Sequence, residues 1–316
     1  MNFPVFDLHC DTALALLGES LRECGSLRQN TLHIDLDRAG KLPGYVQVFS
    51  CFTSPDYPAN GTPVELLFER QMITILREIE KNQNRIRLAY SAADIRNNYA
   101  TGKMSAILSI EGPAGFGYDP ALLEDLYKVG FRMTTLGWNE KNVLTGSHAT
   151  GGGLTDLGRV YVKEAQRLGM IIDVSHISDE GFWNIIDITE GPVVASHSNS
   201  RTVCDVTRNM TDDMFRAICR TDGVAGINLY SAFLSPEPTL DAVCDHIFHF
   251  MELDSTGSHI ALGSDFDGCD TLPDGFAGVQ DYPLLAQKLL DRGLSAEIVH
   301  NIFWNNAIGV MERCCM

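Results

Sequence analysis

The feature that most constrains this chain is a set of short, continuously apolar runs. Each ends in a group able to bind a metal or move a proton. Val5-Phe6-Asp7-Leu8 leads into His9-Cys10-Asp11, and Ala106-Ile107-Leu108-Ser109-Ile110 into Glu111. Met170-Ile171-Ile172-Asp173-Val174-Ser175 leads into His176, Pro192-Val193-Val194-Ala195-Ser196 into His197, and Ile260-Ala261-Leu262-Gly263-Ser264 into Asp265. A strand that alternates apolar and polar residues shows one face to water. A strand that does not is covered on both faces, as in a parallel sheet wrapped by helices.

Strands of this kind are expected at 5–8, 45–52, 104–110, 131–136, 170–174, 192–196, 224–229 and 260–263. Amphipathic stretches lie between them. Residues 64–81 carry Leu66, Leu67, Met72, Ile73, Leu76 and Ile79 close to a helical period. Residues 155–168 open on Thr155 and stop before Gly169, and 211–219, 239–251 and 295–304 read similarly. Eight strands with intervening helices predict a (β/α)8 TIM barrel. The rival, an open doubly wound sheet, would place G-x-G-x-x-G after its first strand, and none is present. Gly151-Gly152-Gly153 follows no strand and sits in a Gly-rich segment, 138–153, expected as a lid over the site. A chain of 316 residues fits one such barrel, so 1–316 is read as a single domain.

The formal net charge of −17 argues against nucleic acid and anionic membrane surfaces, which reward basic patches. No run approaches the roughly 20 apolar residues needed to span a bilayer. The N-terminus, Met1-Asn2-Phe3-Pro4, lacks a charged leader ahead of a long apolar stretch. The nine cysteines include no C-x-x-C pair, and most adjoin apolar stretches, so they read as buried thiols, with Cys314-Cys315 exposed. Together these features point to the cytoplasm.

A barrel carries its chemistry on the loops after its strands, where all the groups named above fall. His9 and Asp11, two apart on an extended segment, point to the same side. Imidazole nitrogen with carboxylate oxygen suits Zn²⁺ or a similar divalent ion. His176 and His197 can supply two nitrogens to a second ion. Glu111, with two oxygens, can bridge the pair and offset their repulsion, and the ions would share a hydroxide. Asp265 can take a proton from that water and pass it to a leaving amine. Arg208, followed by Asn209, can hold a substrate carboxylate with a two-pronged hydrogen bond. Asp267, beside Gly268, reads as a turn residue. His246 and His249 are three apart without H-E-x-x-H around them. His148 lies in the 138–153 segment, and its role stays open.

These residues carry a resemblance. Asp7-Leu8-His9-Cys10-Asp11-Thr12, Ser109-Ile110-Glu111-Gly112, Asp173-Val174-Ser175-His176, Ala195-Ser196-His197-Ser198, Arg208-Asn209 and Gly263-Ser264-Asp265-Phe266-Asp267-Gly268 resemble the membrane (renal) dipeptidase family of zinc peptidases. The likeness runs from near residue 5 to the last helix, and Gly153-Leu154-Thr155 shares in it. It implies a barrel of the metal-dependent amidohydrolase type with two zinc ions. His9 and Asp11 would hold one ion and His176 and His197 the other, with Glu111 between. It also implies Asp265 as catalytic acid and base, Arg208 on the dipeptide's carboxylate, small dipeptide substrates that can carry a D-residue second, and a homodimer. The chain looks like the soluble microbial branch.

Two positions depart from the family's pattern. Trp138, in Thr135-Leu136-Gly137-Trp138-Asn139, stands where animal members have a His that steadies the substrate carbonyl. An indole N–H donates one hydrogen bond and carries no charge. Phe233 stands where some relatives have a carboxylate-contacting Tyr, with Tyr230 nearby. Substrate preference is therefore the open quantity. The alternatives are another amidohydrolase, acting on a lactam or an N-acyl amino acid, and a non-catalytic metal-binding barrel.

Overall fold

The computed structural model describes residues 2–18, 25–57 and 61–315. The strands are β1 Val5–Cys10, β2 Tyr45–Phe52, β3 Ile86–Leu88, β4 Met104–Glu111, β5 Phe131–Thr135, β6 Ile171–Asp173, β7 Val193–Ala195, β8 Val224–Ile227 and β9 Ile260–Leu262. Every pairing among them is parallel. The order β2-β1-β9-β8-β7-β6-β5-β4 closes through a β2–β4 pairing, so eight strands form a barrel, with helices between them.

The expected strands all form, at slightly different ends. β3 is additional. Its three residues pair with Met104 to Ala106, below the point where β5 joins β4 at Leu108. Exposed Arg87 in its middle removes the apolar run that marks the other strands. The helix Val64–Lys81 occupies its expected span. Thr155, Thr211, Thr239 and Ser295 each cap a helix by accepting a backbone N–H three residues on. Cys315 is buried and Cys314 half-buried, not exposed as expected, because the C-terminal helix packs its last turn against Gly169.

One buried cluster collects Phe6, Leu8, Val46, Val48, Ile107, Met133, Ile171, Val194, Val224 and Ala261 from the eight barrel strands. Trp304, from the π-helical turn Asn301–Asn305, joins it with Ala307, Ile308 and Met311 of the last helix, Asn306–Cys314. That helix closes the barrel at the end where strands begin: Arg313 donates to the Asp222 carbonyl before β8 at 2.7 Å. The apolar interior is thereby closed at that end, and the mouth is the end where the strands finish. In β1, Phe6 and Leu8 face the interior cluster, and the register with β2 then shifts between Asp7 and Cys10. An irregularity of this kind re-aims a side chain, and His9 turns to the mouth.

Candidate active site

At the mouth, the sequence-predicted groups converge on Glu111, the last residue of β4. Its Oε2 lies 3.2 Å from His9 Nε2, and its Oε1 lies 3.0 Å from His176 Nε2 and 4.0 Å from His197 Nε2. Each carboxylate oxygen thus serves a different side. His9 Nε2 is also 3.3 Å from Asp11 Oδ2 and 3.9 Å from Asp265 Oδ1. The His9 and His197 rings stack at 3.7 Å.

The backbone is forced where it presents these groups. His176 has φ +71° and Asp265 φ +62°, a left-handed conformation unfavourable for residues with a Cβ. Gly268 permits the closest approach. A Cβ there would lie 2.2 Å from Asp11 Oδ2 and 2.6 Å from Asp265 Oδ1.

The surroundings set the histidine tautomers. Ser196 Oγ donates to Asp173 Oδ2, so it can only accept from His197 Nδ1, 2.6 Å away. His176 Nδ1 lies 2.9 Å from the amide oxygen of Asn139, another acceptor. Both rings therefore carry their proton on Nδ1 and a lone pair on Nε2. Burial and the nearby Arg208 guanidinium hold His176 down to about 3, and burial and His9 hold His197 well below the usual histidine value. Both are neutral, the state in which an imidazole can bind a cation. His9 differs. Burial alone would lower it, but Glu111 and Asp11 outweigh burial and raise it well above the usual value. Burial likewise opposes ionisation of Glu111, yet His9 and His176 hold that carboxyl low.

The donor set fits divalent cations. Two Nε2 lone pairs stand 3.0 Å apart, both beside an ionised carboxylate oxygen. Such an arrangement is repulsive unless positive charge lies among them. Asp11 Oδ1 is buried without a hydrogen-bond partner among the described residues. His9, Glu111 and His197 form one group with metal-ligand proximity, and His9, Asp11 and Asp265 form another.

Beside this cluster is a cleft of about 210 Å³, bounded by Phe52, Tyr57, Trp138, Tyr230, Phe233 and Asp265. Trp138 packs edge-on to Phe52 at 5.1 Å and lies 6.2 Å from the His176 ring. The Asp265 side chain is 14% exposed and burial raises its pKa. Its Oδ2 accepts from Asn228 Nδ2 at 3.0 Å, which leaves Oδ1 toward His9. Arg208 is buried over the Phe233 ring, 5.7 Å from its centre. Its Nη1 donates to Ser198 Oγ at 2.6 Å, while Nε and Nη2 have no hydrogen-bond partner among the described residues.

Asp267 lies in a turn, as expected, with φ +65°, and it also tethers distant segments. Its carboxylate accepts from Thr12 Oγ1 and the His33 N–H, both at 2.6 Å. The 138–153 segment is packed down rather than lid-like. Leu144 and Ser147 are buried, and Ser178 Oγ holds the Gly152 carbonyl at 2.6 Å. His148 donates from Nε2 to Asn139 Oδ1 at 2.9 Å, sharing the acceptor of His176. Sequence reasoning missed Asn139, Asp173, Ser196, Asn228 and the partnership of Asp7 with Ser264. A polar residue at a strand end looks the same whether it caps a helix or orients a ligand.

The family model for membrane dipeptidase (peptidase family M19) matches residues 1–314. An uncharacterized dipeptidase of Schizosaccharomyces pombe is 37% identical over 225 residues, 69% of this chain and 55% of that protein. This chain therefore spans little more than half of that relative's length. The dipeptidase verJ of Clonostachys rogersoniana is 30% identical over 98% of this chain and 84% of its own. Among solved structures, a metallopeptidase from Rhodobacter sphaeroides, liganded with a phosphinate mimic of the dipeptide L-Ala-D-Ala, superposes with TM-score 0.88 at 27% identity. That match covers 99% of this chain and 100% of the other. The chain belongs to the membrane dipeptidase family, and by class it is a metallo-dipeptidase on a TIM barrel.

Proposed function

We propose that this chain hydrolyses the peptide bond of small dipeptides, including those with a D-residue at the carboxyl end. Two divalent cations, zinc by preference, would be held by His9 and Asp11 on one side, His176 and His197 on the other, and Glu111 between. The observation that carries this reading is the division of Glu111, one oxygen toward His9 and the other toward His176. When bound, the ions supply a hydroxide nucleophile at neutral pH and polarise the scissile carbonyl.

The chain's own groups do the rest. Arg208 offers Nε and Nη2 to the terminal carboxylate; a buried guanidinium with free donors is costly until an anion arrives. Asp265, held at Oδ2 by Asn228, takes the proton of the attacking water at Oδ1 and delivers it to the departing amine. Phe52, Trp138 and Phe233 exclude water from a cleft whose volume suits a small ligand. The occupancy of the Rhodobacter sphaeroides relative by a dipeptide mimic supports the substrate class.

The reading extends to a single-domain homodimer in the cytoplasm. The free thiols support a reducing setting, and no helix among the described residues is long and apolar enough to cross a membrane. The test is a panel of L,L- and L,D-dipeptides beside N-acetylated and amidated versions, run on metal-loaded protein. Hydrolysis confined to substrates with a free carboxylate is expected. Equal rates on amidated dipeptides, or turnover of N-acyl amino acids alone, would overturn it.

A further inference from the structure

A second set of metal donors lies at the opposite end of the barrel from the catalytic mouth. Cys219 lies in the last turn of the helix Asp212–Arg220 that leads into β8. Asp254 follows the helix Leu240–Leu253, and His259 immediately precedes β9. One thiol sulfur, one carboxylate oxygen and one imidazole nitrogen from these residues lie within 4.8 Å of one another, and all are half-buried. The three come from separate segments, yet they meet because β8 and β9 are neighbours.

The positions are braced by contacts that leave ligand capacity free. His259 Nδ1 lies 2.8 Å from the Gly223 carbonyl, which can only accept, so Nδ1 keeps the proton and Nε2 the lone pair. The Asp254 carboxylate is held in its turn by Thr256, whose hydroxyl donates at 2.6 Å, and by the His259 N–H at 3.3 Å. The Thr256 N–H joins its hydroxyl on Oδ1 at 3.2 Å, whereas Oδ2 takes only the His259 N–H, so Oδ2 keeps a lone pair. Zinc accepts all three ligand types, sulfur, imidazole nitrogen and carboxylate oxygen, and the thiolate disfavours magnesium and calcium.

We propose that Cys219, Asp254 and His259 form a structural zinc site, distinct from the catalytic centre. It staples the entry of β8 to the entry of β9. Binding replaces the Cys219 S–H by an S–Zn bond and releases that proton to solvent, and water completes the tetrahedron. The N-terminal face of such a barrel serves stability rather than chemistry. The site therefore acts on unfolding and not on turnover.

The test compares the zinc-loaded protein with Cys219→Ser, and cobalt-substituted forms of both. Wild type is expected to hold about one ion per chain more than the variant. Its cobalt form is expected to show a thiolate-to-metal charge-transfer band that the variant lacks. Added zinc should raise the thermal midpoint of wild type more than that of the variant. Dipeptide turnover should be the same in both. Asp254→Asn, which keeps an acceptor for Thr256, gives an independent reading and is expected to weaken the same band. Equal metal content and equal cobalt spectra in wild type and Cys219→Ser would overturn the proposal, whatever the outcome for catalysis.

Discussion

The Ser196 hydroxyl donates to the Asp173 carboxylate, joining the ends of β6 and β7. Asp7 and Ser264 repeat the device across β1 and β9: Asp7 Oδ1 takes the Ser264 N–H at 2.9 Å, as Asp173 Oδ1 takes the Ser196 N–H at 2.9 Å. In each case the residue after the serine is a site group, His197 or Asp265. A buried acid thus locks the neighbouring strand end and aims the next side chain along it. Burial raises the Asp7 pKa, while bonds from Ser264 and Tyr282 oppose the rise.

Replacing Asp265 by Asn keeps the shape and removes the proton acceptor. Turnover of L,D- and L,L-dipeptides is expected to fall roughly 100-fold or more. Bound metal, measured by elemental analysis, should stay near the wild-type level. Hydrolysis at the wild-type rate would remove Asp265 from the mechanism.

Arg208→Met removes the free donors over Phe233. Charge-assisted hydrogen bonds contribute about 1.5–3 kcal/mol, so kcat/KM for a free dipeptide should drop about 10- to 100-fold. The amidated dipeptide should lose little, and the preference between the two should vanish. An unchanged preference would place carboxylate recognition elsewhere.

Asn139→Ala deprives His176 Nδ1 of its acceptor at 2.9 Å. Loss of an orienting partner typically weakens a metal site about 10- to 100-fold. Chelator competition, with metal analysis at each step, should show one ion released more readily than in wild type. Release unchanged from wild type would mean that Asn139 does not orient the ligand.

How much of this site was legible in the sequence depends on the neighbours of each residue. His9, Glu111, His176, His197 and Asp265 were legible because each ends or succeeds a run of buried apolar residues. The barrel was legible for the same reason. β3 was not, since Arg87 faces water within a three-residue strand. Asn139 and Asn228 were not, because they gain meaning only from partners far along the chain. The packed state of 138–153 was hidden too. Its glycines suggest freedom, while its restraint comes from Ser178 in a later segment.

His246 predicts an acid limit to stability. It is fully buried, accepting the Ser200 N–H at Nδ1 (3.1 Å) and facing the Leu234 carbonyl with Nε2 (3.0 Å). Burial lowers its pKa from 6.5 to about 4. The unfolded chain therefore binds the extra proton first. Stability is fully present above about pH 6.5 and is lost as pH falls toward 4, by up to roughly 3 kcal/mol. Urea unfolding across this window should show that slope, and His246→Gln should flatten it. Identical slopes would assign the loss to other groups.

The most direct measurement is anomalous diffraction from zinc-soaked crystals. Two peaks are predicted at the barrel mouth, flanking the Glu111 carboxylate, one beside His9 and Asp11 and the other beside His176 and His197. A mouth without anomalous signal, or a zinc there that touches neither Glu111 oxygen, would contradict the binuclear site.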